Sequence, residues 1–239
     1  MIIRLDKFLA ESGIGSRKEV KEYCKKSLIS VNGQIEKSPD MKIDTENDVI
    51  LYNGNRITYE KYKYYMLNKP AGVISATTDK SDRTVIDLLK DVPVRDLFPV
   101  GRLDKDTVGL LLITNNGDLA HRLLSPQKHV DKTYHFKVSG KLTEEMIEMF
   151  KNGLVLADGT KTRPAKLEIL LSDEISEGRV TITEGKYHQV KRMMASVGLK
   201  IVYLKRLSMG PLKLDESLLE GEFRELTPNE IEEMRIYFD

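Results

Sequence analysis

A loop that carries two carboxylates ahead of an apolar stretch contains the residues best suited to do chemistry. Asp104 and Asp106 stand in the segment 101–107, and the mostly apolar residues 108–114 follow. An ionised carboxylate in such a loop could act as a nucleophile or as a base. Loops backed by a rigid strand often carry catalytic residues, although Asp is also an ordinary turn residue. The local sequence therefore indicates two candidate carboxylates and does not choose between them.

Three further segments carry polar residues that could take part. They are Leu-Asn-Lys-Pro-Ala-Gly at 67–72, Lys-Thr-Tyr at 132–134 and Glu-Gly-Lys-Tyr-His-Gln-Val-Lys-Arg-Met at 184–193. Taken alone, Tyr134 is typical of a half-buried strand tyrosine, because alternation places it on one face with Phe136.

The last of these segments offers a histidine and two cations. His188 beside Gln189 is more typical of a hydrogen-bonded structural residue than of a general acid or base. Lys191 and Arg192 open a predicted helix, where the dipole does not favour a cation, so a structural surface pair is the ordinary interpretation. Spacing alone gives none of these residues a catalytic role.

Length and composition limit the elements that can position these residues. The 239 residues are 40% hydrophobic, enough for two compact domains or one large one. The sequence has no run of about 18 apolar residues and no signal-peptide pattern, so we expect a cytoplasmic protein. The single cysteine, Cys24, shares a helical face with Val20, which predicts a small buried hydrophobe and excludes an intrachain disulfide or a cysteine-based zinc site.

The net charge of +1 conceals an uneven distribution. Residues 215–239 contain nine acidic and two basic residues, so positions 1–214 carry eight more basic than acidic side chains. A basic body suits polyanion binding, although many enzymes share such an excess. Within the acidic end, Thr227-Pro228-Asn229-Glu230 is a helix start with Pro at the first position and predicts a structural terminal helix.

Helix, turn, basic helix and hairpin is the order predicted for residues 1–35. Apolar residues at helical spacing between Leu5 and Leu9 stop at Gly13, and Ser16-Arg17-Lys18-Glu19 has the form of a capping box. Asn32-Gly33 between two short apolar runs predicts a hairpin. The second helix has a cationic face formed by Arg17, Lys18, Lys21 and Lys25.

The rest of the chain mixes helix and strand patterns. After a strand pair around Asn53-Gly54, a polar stretch predicts a boundary that gives domains 1–59 and 60–239. A strand, a Pro/Gly turn and a second strand are predicted for 64–75. Because strands and helices do not alternate strictly, we expect an α+β fold with a mixed, mainly antiparallel sheet. Helices are predicted at 84–90, 118–124, 142–151, 189–197 and 228–237, and strands at 108–114, 133–138, 165–171, 180–183 and 201–207.

The N-terminal part resembles a known RNA-binding module. Arg-Leu-Asp-Lys-Phe-Leu at 4–9, Ser-Arg at 16–17 and Val-Asn-Gly-Gln at 31–34 are similar to an S4 domain, found in ribosomal and RNA-modifying proteins. A charged helical face is usually only solvated. The resemblance instead implies that Arg17, Lys18, Lys21 and Lys25 contact RNA.

The four segments around Lys69, Asp104, Tyr134 and Lys191 together resemble the pseudouridine synthases of the RsuA/RluB type, over residues 64–239. The resemblance implies that a uridine of ribosomal RNA is isomerised. The bond between ribose C1′ and N1 of uracil breaks, the base rotates, and the two parts rejoin through C5. Since nothing is oxidised, hydrolysed or transferred, we expect no metal and no other cofactor.

The same resemblance implies roles for individual residues. Asp104 is the catalytic carboxylate, acting at the ribose covalently or as a base, and only the family pattern excludes Asp106. Tyr134 stacks on the flipped uracil, and Lys191 holds the carboxylate ionised and aimed. Lysine here departs from the arginine of many pseudouridine synthases. Lys69, Arg102 and Arg192 complete the predicted RNA-binding set.

Within that set the expected tasks differ. Lys69 and Arg102 are expected mainly to position the backbone or the catalytic loop, whereas Arg192 is free to meet phosphate. Residues 187–193, and Ser125-Pro126 before 131–134, look more like the enzymes of small-subunit (16S) RNA than like those of large-subunit (23S) RNA.

Three alternatives stay open: a 23S target, a non-catalytic RNA-binding or assembly factor on the same fold, and a hydrolase using Asp104 and Asp106 as a carboxylate pair. The second would need loss of Asp104, Tyr134 or Lys191, and all three are present. The third leaves the S4 resemblance unexplained. We expect the partner to be ribosomal RNA or a ribosomal assembly intermediate, with no membrane, and the protein to be a monomer.

Overall fold

A computed structural model describes residues 1–89, 92, 96–125 and 127–238. The chain forms two compact units, Met1–Lys63 with Asp91–Asp96, and Tyr64–Lys90 with Leu97–Asp239. The boundary predicted after residue 59 stays a prediction. Lys90 of the predicted helix 84–90 and Pro126 of the Ser125-Pro126 pair lie outside the described residues. None of the described helices is long and apolar enough to cross a membrane.

The first unit begins as the sequence predicts. Helix α2 starts at the capping box, in which the Glu19 backbone N–H donates to Ser16 Oγ and the Ser16 N–H donates to the Glu19 carboxylate. Asn32 and Gly33 have φ of 51° and 83°, the positive values that a tight hairpin turn requires. The elements are β1 (Ile2–Arg4), α1 (Leu5–Glu11), α2 (Arg17–Lys25), β2 (Ile29–Val31), β3 (Gln34–Ile35), β4 (Lys42–Asp44), β5 (Ile50–Tyr52) and β6 (Asn55–Arg56).

The two faces of α2 differ in burial. Val20 and Cys24 pack into a core with Leu5 and Phe8 of α1. Cys24 is fully buried, as predicted, and burial raises the pKa of its thiol. On the other side of the helix the predicted cationic residues are all exposed, namely Arg17, Lys18, Lys21 and Lys25.

The second unit is built on one sheet, which confirms the α+β fold with a mixed, mainly antiparallel sheet. Among the described residues its strand order is β11-β12-β10-β13-β9-β7-β15, with β14 beside β13 and β8 beside β9. The strands are β7 (Tyr64–Lys69), β8 (Phe98–Pro99), β9 (Val108–Thr114), β10 (Lys132–Ser139), β11 (Lys166–Leu171), β12 (Ile175–Ile182), β13 (Lys200–Met209), β14 (Leu212–Lys213) and β15 (Phe223–Glu225). The α-helices are α3 (Gly117–Leu124), α4 (Glu144–Asn152), α5 (Gln189–Ser196) and α6 (Pro228–Glu233), with 3₁₀ turns at Ile86–Leu88 and Met234–Tyr237.

One parallel pair inside this sheet positions the carboxylate loop. Strand β9 pairs with β13 in parallel, whereas the other strand pairs of the sheet are antiparallel. Gly109 has a φ of 101°, and a Cβ there would lie 2.3 Å from the carbonyl oxygen of Arg206. Only glycine lets β9 approach β13 so closely, directly after the loop 101–107.

Residues 70–75 do not form the second strand that the sequence predicts. Ile74 makes only an isolated bridge to Thr84. The segment packs instead on the carboxylate loop, where the Gly72 N–H donates to the Lys105 carbonyl. Ser75 Oγ accepts from the Leu103 N–H and donates to its carbonyl. A backbone N–H and a side-chain hydroxyl of this segment therefore hold the loop.

The acidic end forms the predicted terminal helix. Thr227 and Glu230 make a capping box at the start of α6, with Pro228 in the first turn. Arg224 lies between two of the acidic residues, with Nε 2.6 Å from Asp215 and both Nη atoms 2.8 Å from Glu230. The acidic residues at this end thus serve in part to neutralise a half-buried arginine.

Candidate active site

An open cleft of about 420 Å³ lies where the loop before β9, strand β10 and the start of α5 meet. Its walls include all three residues predicted to be catalytic, Asp104, Tyr134 and Lys191, together with Arg102 and His188. The three are far apart in the sequence, and the parallel pairing of β9 with β13 helps to bring them together.

Asp104 lies between Lys191 and His188 and still faces the cleft. Its Oδ2 lies 3.0 Å from Lys191 Nζ, and its Oδ1 lies 3.5 Å from His188 Nε2. The side chain is 27% exposed. A carboxylate so fixed, with an open approach, can act on a molecule in the cleft.

Lys191 lies between the two candidate carboxylates. Its Nζ is 2.6 Å from Asp106 Oδ1, closer than it is to Asp104. Partial burial acts to lower the pKa of Lys191, but hydrogen bonds to Asp106 and Asp104 outweigh it, and the pKa is raised. The hydrogen bond from Lys191 in turn lowers the pKa of Asp106. Asp106 is 73% exposed and contacts the Lys191 ammonium from the solvent side, whereas Asp104 lines the cleft.

Tyr134 lies on the face of β10 that alternation predicts. Together with Phe136 and Val138 it is buried, whereas the residues between them are half-buried. Tyr134 nevertheless lines the cleft, so part of its ring faces the same space as Asp104. A tyrosine in this position has a flat apolar surface that suits an aromatic base.

The segment before α5 is fixed by buried polar groups. Glu184 accepts hydrogen bonds from the Arg163 N–H and from Gln189 Nε2, at 2.9 and 2.6 Å. The buried Gln189 accepts from the Lys186 N–H at 2.8 Å. His188 has a φ of 47°, in the left-handed region that non-glycine residues rarely adopt. Such local strain is characteristic of functional sites.

Lys69 anchors the carboxylate loop from inside the protein. The side chain is fully buried, and four backbone carbonyl oxygens lie within hydrogen-bond distance of its Nζ. These belong to Pro70 (3.0 Å), Asp104 (3.1 Å), Lys105 (3.4 Å) and Thr107 (2.9 Å). Burial lowers the pKa of Lys69 to about 8. Its expected task of positioning the loop is what the contacts support, and its inclusion among the RNA-binding residues is wrong because RNA cannot reach the ammonium.

Replacing Lys69 with Met should change how stability depends on pH. In the folded protein the Lys69 proton leaves near pH 8, but in the unfolded chain it leaves at the ordinary lysine value of 10.5. Between these values the unfolded chain binds more protons, so the stability of the wild type rises with pH through this group. We expect the free energy of unfolding of the wild type minus that of Lys69→Met to grow by about 2 kcal/mol between about pH 7 and pH 9.5. Urea unfolding of both proteins checks this, and parallel pH curves would contradict it.

Comparison with known proteins decides the family. The RNA pseudouridylate synthase family matches residues 63–196, and the S4 domain matches residues 3–50. The chain belongs to the RNA pseudouridine synthases. It is of the RsuA/RluB type, in agreement with the sequence resemblance.

Full-length relatives support the same assignment. The chain is 48% identical over 231 residues to an uncharacterized RNA pseudouridine synthase of Bacillus subtilis, covering 96% of this chain and 97% of the relative. It is 39% identical to ribosomal large subunit pseudouridine synthase B of Bacillus subtilis (99% and 97% covered) and to ribosomal small subunit pseudouridine synthase A of Vibrio cholerae (96% and 98%). A crystal structure of a pseudouridylate synthase matches with a TM-score of 0.67 at 39% identity, covering 97% of this chain and 99% of the other.

The contacts of the synthase cleft do not support a hydrolase with Asp104 and Asp106 as a carboxylate pair. A hydrolytic pair needs one carboxyl with a raised pKa to act as an acid. Lys191 lies on both carboxylates, and the pKa of Asp106 is lowered. Asp106 is therefore unsuited to deliver a proton.

Two further site predictions have different outcomes in the structure. Arg102 is exposed and lines the synthase cleft, where it is accessible to RNA. Arg192, expected to be free to meet phosphate, forms an ion pair with Asp158, and its contact with phosphate stays a prediction. The sequence contained no signal for this pair, since Asp158 stands in a separate turn before β11.

His188 is the site residue whose position the sequence did not indicate. The sequence favours a structural role, but His188 lies 3.5 Å from Asp104 and forms part of the cleft wall. Its ring also stacks on that of Tyr187. The left-handed backbone at His188 turns the ring toward the carboxylate, and sequence patterns do not predict that conformation.

Proposed function

We propose that this enzyme converts one uridine of ribosomal RNA to pseudouridine, with Asp104 as the catalytic carboxylate. The observation that carries the proposal is the position of Asp104, which faces an open cleft while Lys191 holds it at 3.0 Å. Tyr134 lines the same cleft, where its ring can stack on the uracil. Relatives named for ribosomal large-subunit and small-subunit pseudouridine synthesis support ribosomal RNA as the substrate.

The proposed reaction uses only groups that the chain supplies. Asp104 acts at the ribose, as a nucleophile at C1′ or as a base, when the C1′–N1 bond breaks. The base rotates beside Tyr134, and the C1′–C5 bond forms. At this step an Asp104 bound to C1′ leaves it, or an Asp104 that acted as a base returns its proton to the ribose. C5 then loses a proton and N1 gains one, so atoms and charge balance without a cofactor. Lys191 keeps the Asp104 carboxylate fixed throughout.

We propose the small-subunit (16S) RNA as the substrate, free or within an assembling particle in the cytoplasm. The support is the sequence around 187–193, because relatives with either target are 39% identical to this chain. We also propose that the enzyme works as a monomer, since one chain supplies Asp104, Tyr134 and Lys191 to one cleft.

Pseudouridine mapping tests the proposed reaction and target. Small-subunit and large-subunit RNA are incubated separately with the enzyme, and pseudouridine is located by carbodiimide-dependent primer extension. We expect one new stop on small-subunit RNA and none on large-subunit RNA. A stop only on large-subunit RNA would show that the alternative target, 23S RNA, is the substrate. Absence of product on both, as free RNA and as partly assembled particles, would overturn the enzymatic assignment.

The cationic face of α2 predicts a salt-dependent contribution to RNA binding. Lys21 and Lys25 are exposed on that face, and each phosphate that a lysine neutralises releases counterions. Changing both to Ala should weaken binding and make the negative slope of log K against log salt shallower by roughly 1–2. Filter binding across a salt series measures that slope.

A control on the second unit matches the α2 pair closely. Lys151 forms an i,i+3 ion pair with Glu148, as Lys25 does with Glu22, and Lys141 is exposed like Lys21. Changing Lys141 and Lys151 to Ala removes the same charge and should leave the slope nearly unchanged. Equal slopes in all three proteins would show that the α2 face is only solvated.

A further inference from the structure

An exposed aromatic ring lies next to the proposed catalytic site. Tyr187 is 74% exposed, and its two neighbours Lys186 and His188 both line the cleft. The ring is stacked on His188, with the ring centroids 3.8 Å apart and the planes at 18°. An exposed tyrosine buries little apolar area, so this stack contributes little to the core.

We infer that Tyr187, backed by His188, is a stacking platform for a nucleobase that flanks the target uridine. The inference rests on the proposed function and deepens it, because it names a contact that selects the RNA. His188 connects the platform to the chemistry, since its Nε2 is 3.5 Å from Asp104 Oδ1. A base on Tyr187 would therefore lie within one nucleotide of the ribose that Asp104 reaches.

The platform is built rather than incidental. His188 has a left-handed backbone, which is unfavourable for a residue with a side chain, and this conformation places its ring beside Tyr187. The buried Gln189 fixes the same turn through the Lys186 N–H, and Glu184 fixes Gln189. Two hydrogen bonds thus hold a conformation that presents an aromatic ring to solvent.

RNA offers the partner whose chemistry fits this ring. Proteins that bind unpaired RNA stack bases on aromatic side chains, because every base has a flat π surface. A uridine flipped toward Asp104 leaves its neighbour with an unstacked face. Lys186 beside the ring is 41% exposed and pairs with Glu184 at 3.3 Å, so the aromatic ring itself carries the contact with the base.

Single abasic substitutions test the contact directly. The full-length wild type, Tyr187→Ala and Tyr187→Phe are assayed on a target stem-loop RNA and on versions that lack one base at each position flanking the uridine. Base stacking on an aromatic ring predicts that Tyr187→Ala lowers kcat/KM roughly 5- to 150-fold on intact RNA. Tyr187→Phe keeps the ring and should recover most of that loss.

The decisive result is which abasic RNA abolishes the difference in kcat/KM between the wild type and Tyr187→Ala. We expect one abasic position to lower wild-type kcat/KM by a similar factor and to leave Tyr187→Ala no worse than the wild type. The inference would be overturned if Tyr187→Ala lowered kcat/KM equally on every abasic RNA. It would also be overturned if Tyr187→Ala did not lower kcat/KM on intact RNA. A fluorescent 2-aminopurine at that position should be quenched on binding to the wild type and less so by Tyr187→Ala. An inactive wild type would instead contradict the proposed function itself, so the two failures are distinguishable.

Discussion

Asp104→Asn should abolish pseudouridine formation and leave RNA affinity largely intact. The amide has nearly the same shape as the carboxylate, but it cannot attack C1′ or accept a proton. Because Lys191 remains bound to Asp106 at 2.6 Å, the cleft should keep its form. We expect the single-turnover rate to fall at least about 10³-fold, as is usual when a group that takes part in the chemical step is removed. Filter binding of the same protein reports the affinity.

Asp106→Asn is the matched control for this substitution. It removes the same charge two residues away, from a side chain that is 73% exposed. We expect a loss of roughly tenfold or less, because Asp106 contacts the cation and lies outside the cleft wall. An active Asp104→Asn beside an inactive Asp106→Asn would show that the two carboxylates have been assigned the wrong way round.

Lys191→Met should produce the second largest loss. It leaves Asp104 without its cation, and an unpaired carboxylate can then turn toward other donors. We expect kcat to fall roughly 10²-fold or more, with a smaller change in KM, as for loss of a charged group that acts in the transition state. The raised pKa of Lys191 keeps this cation charged across the usual assay range, so it should not produce an alkaline limb near neutrality.

Arginine at 191 provides the informative comparison. A lysine is a point charge on a flexible stem, and here it is held by two carboxylates, Asp104 and Asp106. A guanidinium can bind one carboxylate through two parallel hydrogen bonds. Lys191→Arg should therefore retain most activity and make Asp106→Asn less harmful than it is with lysine. If Lys191→Met were as active as Lys191→Arg, the cation would have no role in positioning Asp104.

Continuous apolar segments were predictable to within a residue or two. Strand β9 was expected at 108–114 and occupies those residues, because an uninterrupted apolar run can only be buried. Strand β12 was expected only at 180–183 but spans Ile175–Ile182. Its first half contains Gly178, where a Cβ would lie 2.6 Å from Phe136 Cζ. The glycine that weakens the strand pattern is the one that the packing requires.

The candidate site was predictable in residue type and less so in geometry. The segments around Asp104, Tyr134 and Lys191 were recognisable as motifs, and the cleft contains all three. The burial of Lys69 was not predictable, because residue type alone does not distinguish a lysine buried under a loop from a lysine on the surface. The Arg192–Asp158 pair and the orientation of His188 depend likewise on where the backbone turns, which residue types alone do not specify.

The buried Lys69 has a consequence for chemical labelling. The pKa of about 8 depends on burial, so once exposed the Lys69 amine returns to the ordinary lysine pKa of 10.5 and can be acylated like a surface lysine. In the closed protein four carbonyls shield it from any acylating reagent. Exposed lysines acylate continuously, whereas Lys69 becomes reachable only when residues 101–107 leave its ammonium. The acylation rate at this one residue, followed by mass spectrometry, therefore measures how often the loop that carries Asp104 opens.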